Sequence, residues 1–488
     1  MARKFEFISS NERVLSPSAL WLLLGVMGIL LSVGCQPKKP IEQTKTGERA
    51  ATTVQAPPLK LVLVEADLLE AELGLRWQTV SDQKLDVLKM TREEFEKLDV
   101  NTLDVIIYPA NFISTLIERG WIAPLPSPVL NKTGGSTPTL DEAPQGESQR
   151  VTGPTWAHRG RSLSQYGGKT MAVPLGAPCW LAIQSGLDIR PLLRLYQAMG
   201  SNQNTSTTNS QLWSEFLDQN EASRHSTLVD RTAQIQEHLQ RVSLNEKRSL
   251  VSRYFWMLST TEARYRGTFD PYTMQSRLNQ PEFSRTARFL QRLAVLEPKT
   301  ILAEPTVAWE SVAQGTASFG IGWPRTDGLQ RLDRDTTQLK PTVLPIAWNG
   351  ADGFLVSLGR RTRQSAHASD LIVWLAGEEQ RSAMQALTPL VEPLEIDNDR
   401  NVMRDDYREF QTTQRLEAAN LSMELTPRFF GSEQFVDLLG DALVDVLRNP
   451  DQTESRLAEC KKSWDELGAT IGKERLRGSL EAASGYSK

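Results

Sequence analysis

The sequence predicts an α/β chain of two or more domains, and three observations carry that expectation. Short apolar, strand-like runs alternate with helix-like stretches after residue 58. A mostly helical block follows from about 185 to 297, and strand-like runs return at Ala317–Gly322 and Thr342–Pro345. Alternation of strand and helix argues for a largely parallel sheet covered by helices. The chain has 488 residues, and domains usually hold about 100–200. With 40% hydrophobic and 23% charged residues, its composition is that of a globular protein.

Taken in order, Leu59–Val64 (LKLVLV) is a β-rich run after a Pro pair and reads as a first strand. Glu65 to Leu73 reads as helix, and Leu85–Leu88 as a second strand. Thr91-Arg92-Glu93-Glu94 has the Thr-x-x-Glu spacing of a capping box and opens a helix. Leu103–Tyr108 (LDVIIY) is nearly all apolar, as expected of a strand buried on both faces. Phe112–Arg119 follows as helix and stops at Gly120. Residues 131–166 read as a long loop and Met171–Pro174 as a strand. Asp370–Ala376 and Phe435–Leu447 are amphipathic helices; Phe435, Leu438, Leu439, Ala442, Leu443 and Val446 share one face of the second. The last helix runs from about Glu454 to Leu467.

Several classes of function are disfavoured. A net charge of −4 gives no basic excess for nucleic acid. The three Cys (Cys35, Cys179, Cys460) and four His are isolated, so neither a disulfide framework nor a metal site is expected. No Gly-x-Ser-x-Gly, phosphate-binding loop, dinucleotide glycine motif or His-Glu-x-x-His is present. No cofactor is implied, and the expectation is a binding protein rather than an enzyme.

The N-terminus carries an apolar run from Ala19 to Val33. It falls short of the about 20 residues of a comfortable spanning helix and suits the hydrophobic region of a signal peptide. It ends in Leu31-Ser32-Val33-Gly34-Cys35, which resembles the lipobox of bacterial lipoproteins, with the Leu one place earlier than the commonest pattern. That resemblance implies a lipoprotein signal peptide within residues 1–35, cleavage before Cys35, lipidation of Cys35 as the mature N-terminus, and a membrane-anchored extracytoplasmic body. Residues 36–58 are polar with Pro and Thr and read as a flexible tether.

The order of motifs resembles the extracellular solute-binding proteins of ABC transporters, sugar type, the broad maltose-binding-protein group. Asp104-Val-Ile-Ile-Tyr-Pro-Ala-Asn111, then a helix and Gly120-Trp-Ile-Ala-Pro-Leu125, is one such stretch. Gly168-Lys-Thr-Met-Ala-Val-Pro174, Gly315-Thr-Ala-Ser-Phe-Gly-Ile-Gly-Trp-Pro324 and the helix ending Ala458-Glu-Cys-Lys-Lys-Ser-Trp464 are the others. The resemblance implies a periplasmic-binding-protein-like fold of two α/β lobes with a hinge and an interlobe cleft. It places lobe 1 at 59–176 plus 299–346 and lobe 2 at 177–298 plus 347–488. Ligands of open α/β sheets lie beyond the carboxyl ends of strands. A sugar needs aromatic faces for its C–H patches and planar polar groups for its hydroxyls.

On that basis the candidate ligand residues are Glu65, Asp67, Tyr108, Asn111, Trp180, Trp256, Phe269, Trp323, Trp348 and Asp352. Each has a plainer reading. Glu65 and Asp67 also complement a helix N-terminus; Tyr108 also packs on a sheet edge. Trp180, at the expected crossover, and Trp256 and Phe269, in the helical block, also serve a core. Trp323 ends a Gly-x-Gly-Trp turn whose glycines allow close backbone approach, and Trp348 and Asp352 flank the expected return crossover. The resemblance implies a monomeric receptor that passes a small molecule of the carbohydrate class to an ABC permease. An anchored sensor or scaffold of the same fold and a carbohydrate-active enzyme stand as rivals.

Overall fold

The computed structural model describes residues 57–98, 103–134, 163–176, 178, 180–199, 205–222, 228–262, 267–324, 342–348, 352–385 and 428–483. The Ala19–Val33 run, Cys35, the 36–56 stretch and most of the expected 131–166 loop lie outside them. None of the described helices is long and apolar enough to cross a membrane.

The first segment contributes β1 (Leu59–Val64), α1 (Glu70–Val80), β2 (Leu85–Met90), α2 (Arg92–Lys97) and β3 (Val105–Pro109). It continues through α3 (Ile113–Glu118), β4 (Ile122–Ala123), α4 (Ser127–Thr133), and the short β5 (Gln165–Tyr166), β6 (Lys169–Thr170) and β7 (Val173–Pro174). β1 pairs in parallel with β2 on one side and β3 on the other, in the registers Leu61↔Val87 and Leu61↔Val105. Side chains alternate across a strand, so this sheet has two buried faces. Leu59, Leu61, Leu63, Val105 and Ile107 pack with Trp77 of α1. Val62, Val64, Ile106 and Tyr108 pack with Phe95, Phe112 and Leu116. The nearly continuous apolar character of LKLVLV and VIIY follows from that double burial.

The chain then crosses to β8 (Trp180–Gln184) and the helices α5 (Arg190–Met199), α6 (Ser206–Ala222), α7 (Leu228–Leu239), α8 (Leu244–Thr261), α9 (Pro281–Leu296), α10 (Pro298–Ile301) and α11 (Pro305–Ala313). β9 (Phe319–Gly322) and β10 (Thr342–Trp348) pair antiparallel on the two sides of β8. One core gathers Leu181, Ile183, Phe319 and Ile321 with Trp213, Phe216, Trp256 and Phe283.

The next crossing returns to the first sheet. β11 (Phe354–Gly359) lies antiparallel to β3, β4 and β7, with Leu355 opposite Tyr108. α12 (Ser365–Ala376) and α13 (Glu378–Gln385) cover it; Leu371 and Leu375 enter the Trp77 core. Arg381 of α13 binds the carbonyls of Pro174 and Leu175, so the end of β7 is pinned where the chain leaves this lobe. α14 (Ser432–Arg448) and α15 (Thr453–Ile471) belong to the second lobe, where Trp464 donates to the carbonyl of Phe435 at 2.9 Å. α16 (Lys473–Ala483) returns to the first: the Gly167 amide donates to the Ala482 carbonyl at 2.9 Å.

This is a two-lobed α/β arrangement, but its lobes divide differently from the expectation. The sequence resemblance places residues 299–346 in lobe 1 and 347–488 in lobe 2. Strand pairing puts β9 and β10 beside β8, in lobe 2, and β11 beside β3, in lobe 1. A short apolar strand advertises its burial in its own residues, while its partner is chosen by tertiary packing. The glycines of Gly320-Ile-Gly322 illustrate this: a Cβ on Gly322 would collide with the Pro305 carbonyl. The close approach they allow is to the first turn of α11.

Candidate functional site

Because β1, β2 and β3 run parallel, their carboxyl ends lie along one edge of the lobe 1 sheet, where open α/β sheets place ligands. Glu65 follows β1, Arg92 follows β2 and Asn111 follows β3. Arg92 joins the other two: its Nε donates to Glu65 Oε2 at 2.7 Å, and its Nη2 to Asn111 Oδ1 at 2.9 Å. The guanidinium also lies 5.2 Å from the centre of the Phe112 ring, a cation–π distance. Thr91 fixes the position of Arg92. Its hydroxyl accepts from the Glu94 amide, and Glu94 accepts from the Thr91 amide at 2.8 Å, completing the capping box at the start of α2. Arg92 is 5% exposed. Burial lowers its pKa and Glu65 opposes that shift, which at neutral pH leaves a desolvated cation held by acceptors. Glu65 has a φ of 50°, an uncommon conformation for a residue with a Cβ. Asp67 stands exposed in the turn that opens the following helix.

The fourth strand of the edge extends the row. β11 is antiparallel to β3, so its first residues meet the end of β3: Phe354 pairs Pro109, and the Ala110 amide donates to the Gly353 carbonyl at 3.0 Å. Gly353 has a φ of 109°, a conformation suited to glycine. Asp352 precedes it. In sheet order the edge therefore carries Arg92, Glu65, Asn111 and Asp352, spread over three strand spacings of about 4.8 Å each.

Lobe 2 presents an aromatic edge. Trp180 opens β8, Trp348 is its register partner on β10, and Trp323 follows β9 on the other side. Trp180 and Trp323 pack edge to face with centroids 4.8 Å apart. They are 1% and 4% exposed. Trp323 Nε1 has no hydrogen-bond partner among the described residues. Behind them Arg253 of α8 donates to the carbonyls of Ile321 at 3.1 Å and Ile301 at 2.9 Å, with its guanidinium 5.5 Å from the Trp180 ring. Burial pulls its pKa down to about 9.

Two contacts join the edges. Trp180 Nε1 donates to Asp352 Oδ2 at 2.6 Å; burial pushes the Asp352 carboxyl up to about 6, against the opposing effect of that hydrogen bond. Arg92 Nη1 pairs with Glu433 in the first turn of α14.

Of the residues singled out from the sequence, Glu65, Asn111, Trp180, Trp323 and Asp352 meet at these edges, and Trp348 has its backbone there. Its side chain lies outside the description, and Cys179 likewise. Three others go elsewhere. Tyr108 is fully buried; its hydroxyl donates to Ser357 at 2.7 Å, and Ser357 donates onward to the Met171 carbonyl at 2.8 Å. Its parity with Ile106 turns it to the helix-covered face. Trp256 is buried against Trp213 with centroids 5.9 Å apart. Phe269 stacks on Trp464 at 5.4 Å and meets Phe429 and Phe435 edge to face. All three are core residues. Arg92 and Glu433 were missed. The capping box carries a signal for Arg92, since it places that residue two positions beyond β2, on the same edge as Glu65. No local pattern marks Glu433. Among the described residues no group of three or more His, Cys, Asp or Glu is placed to hold a metal ion.

No protein-family model matches the chain, and no curated relative matches it by sequence. Solved structures do share its fold. The sugar-binding protein MalE from Xanthomonas citri superposes with a TM-score of 0.54 at 13% identity, over 85% of this chain and 98% of that one. An ABC transporter solute-binding protein from Agrobacterium radiobacter K84, in complex with ribitol, superposes with a TM-score of 0.53 at 15% identity, over 84% and 98%. The chain has the two-lobed fold of these binding proteins.

Proposed function

We propose that this chain is an extracytoplasmic solute-binding protein that takes a carbohydrate or polyol between its lobes and delivers it to an ABC importer by hinge closure. The observation that carries this reading is the pairing of unlike edges. A polar row of Arg92, Glu65, Asn111 and Asp352 on one sheet faces a tryptophan row on the other. Carboxylate, amide and guanidinium groups bond ring hydroxyls, and indole faces cover C–H patches. Asp67 and Trp348 complete the candidate contacts. In the state described Trp180 and Trp323 are covered, so ligand reaches them only when the lobes part, and hinge closure then encloses it.

The two similar structures are a sugar-binding protein and a receptor holding ribitol, which supports the same class of ligand here. Lipidation at Cys35, a periplasmic or otherwise extracytoplasmic location, a monomeric state and a binding role without catalysis belong to the same reading. A thermal-shift screen of sugars, polyols and amino acids tests it. A ligand at about 100 times its dissociation constant adds about 2.7 kcal/mol, so a sugar or polyol raises the melting temperature and is recovered unchanged. Hydrolysis of a glycoside, or stabilisation by amino acids alone, overturns it.

A further inference from the structure

Arg92 donates hydrogen bonds from two of its nitrogens and makes an ion-pair contact with the third. Nε is held by Glu65 and Nη2 by Asn111, both on lobe 1, while Nη1 is paired with Glu433, which lobe 2 supplies. The turn Ala110–Phe112 packs against α14 at the same place. The Glu433 carboxylate therefore reaches across the cleft to the carboxyl edge of the lobe 1 sheet. Its neighbour Asp437, one turn further along α14, is engaged within lobe 2 by Arg248 of α8 at 3.0 Å. Ion pairs between exposed groups contribute little. This one differs because in the closed state Arg92 is 5% exposed, so solvent does not screen its charge from Glu433.

We propose that Arg92–Glu433 is an interlobe latch that holds the empty protein closed, with Glu433 occupying the position on Arg92 that a ligand oxygen must take. This rests on the two-lobe receptor reading above and adds a regulator to it. Arg92 is pre-oriented by Glu65, Asn111 and the Phe112 ring, all on its own lobe, so parting of the lobes changes only its Nη1 partner. An incoming solute therefore competes with an internal carboxylate, and the latch sets how often the cleft is open to it.

Amide hydrogen exchange on the full chain, without ligand, tests the latch. Glu433→Gln keeps the shape of the side chain, which is 21% exposed in the first turn of α14, and removes its charge. Exchange should then rise together in Glu65–Asp67, Thr91–Glu94 and Asn111–Ile113 on lobe 1 and in Ser432–Val436 on lobe 2. The rise should reach about tenfold, the change that about 1.4 kcal/mol of lost closure energy produces. Asp441→Asn, which removes the ion pair with Lys247 inside lobe 2, should leave the lobe 1 segments unchanged. A rise confined to Ser432–Val436, or none, overturns the latch. If sugars still protect these segments in that case, the receptor reading stands without it. If Glu433→Gln opens the protein while no sugar protects either form, the latch stands and the carbohydrate reading fails.

Discussion

The two facing edges are built from opposite chemistry. The lobe 1 edge is ionic: Arg92, Glu65, Asn111 and Asp352 follow four adjacent strands, and the side chains are tied by charge-assisted hydrogen bonds. The lobe 2 edge is aromatic: Trp180 and Trp323 pack edge to face over a buried arginine, with Trp348 in register beside them. The aromatic edge is continuous with the core of its lobe. The ionic edge meets the core of its lobe through the contact of Arg92 with the Phe112 ring. Changes to the tryptophan row should therefore be read mainly in stability, and changes to the ionic row mainly in binding.

The largest expected effect is Trp180→Ala. It removes a buried indole and strips Asp352 of its donor, and large-to-small substitutions of this kind cost about 3–5 kcal/mol; denaturant unfolding measures it. Arg253→Met comes next. It leaves the Ile321 and Ile301 carbonyls without their donor, and each buried unsatisfied group costs about 1–3 kcal/mol. Chemical denaturation should show a loss on that scale with the fold retained. Arg92→Met inverts the pattern. Glu65 is partly exposed and water takes over its hydrogen bond, so stability should fall by only about 1 kcal/mol, while affinity for the sugar found by thermal shift drops about tenfold or more by titration calorimetry. A large stability loss with unchanged affinity would break the distinction between the edges.

The smallest effect sharpens the contact between them. Asp352 has its pKa raised to about 6 by burial. The stability contributed by its protonated form is therefore fully present below about pH 4 and is lost as pH rises through about 6. Asp352→Asn keeps an acceptor for Trp180 and removes the titration. Melting curves of the variant should lose the fall between about pH 4 and 6 and gain on the order of 1 kcal/mol near pH 7, discounted for its partial exposure.

Much of the lobe 1 framework is legible in the residues. LKLVLV and VIIY announce strands buried on both faces, and Thr91-x-x-Glu94 marks the start of α2, as found. Strand partners are less legible. FGIG reads as a strand, but nothing in its four residues says that it pairs β8 rather than β3. Among the candidate residues, position after a strand end is the informative signal for place, and Glu65, Asn111, Trp180, Trp323 and Asp352 lie at the two facing edges. Aromatic identity alone misled at Tyr108, where two-residue periodicity with Ile106 pointed into the core, and at Trp256 and Phe269, where helical packing decided. Glu433 reaches Arg92 from 341 positions away in the sequence, a pairing only the folded chain can supply.

Small-angle scattering of the full chain shows whether the cleft closes on a sugar. With the strongest sugar or polyol from the thermal screen at saturation, the radius of gyration of Glu433→Gln should fall, as the opened lobes close over the ligand. Bound sugar with no change in radius in that variant would contradict it.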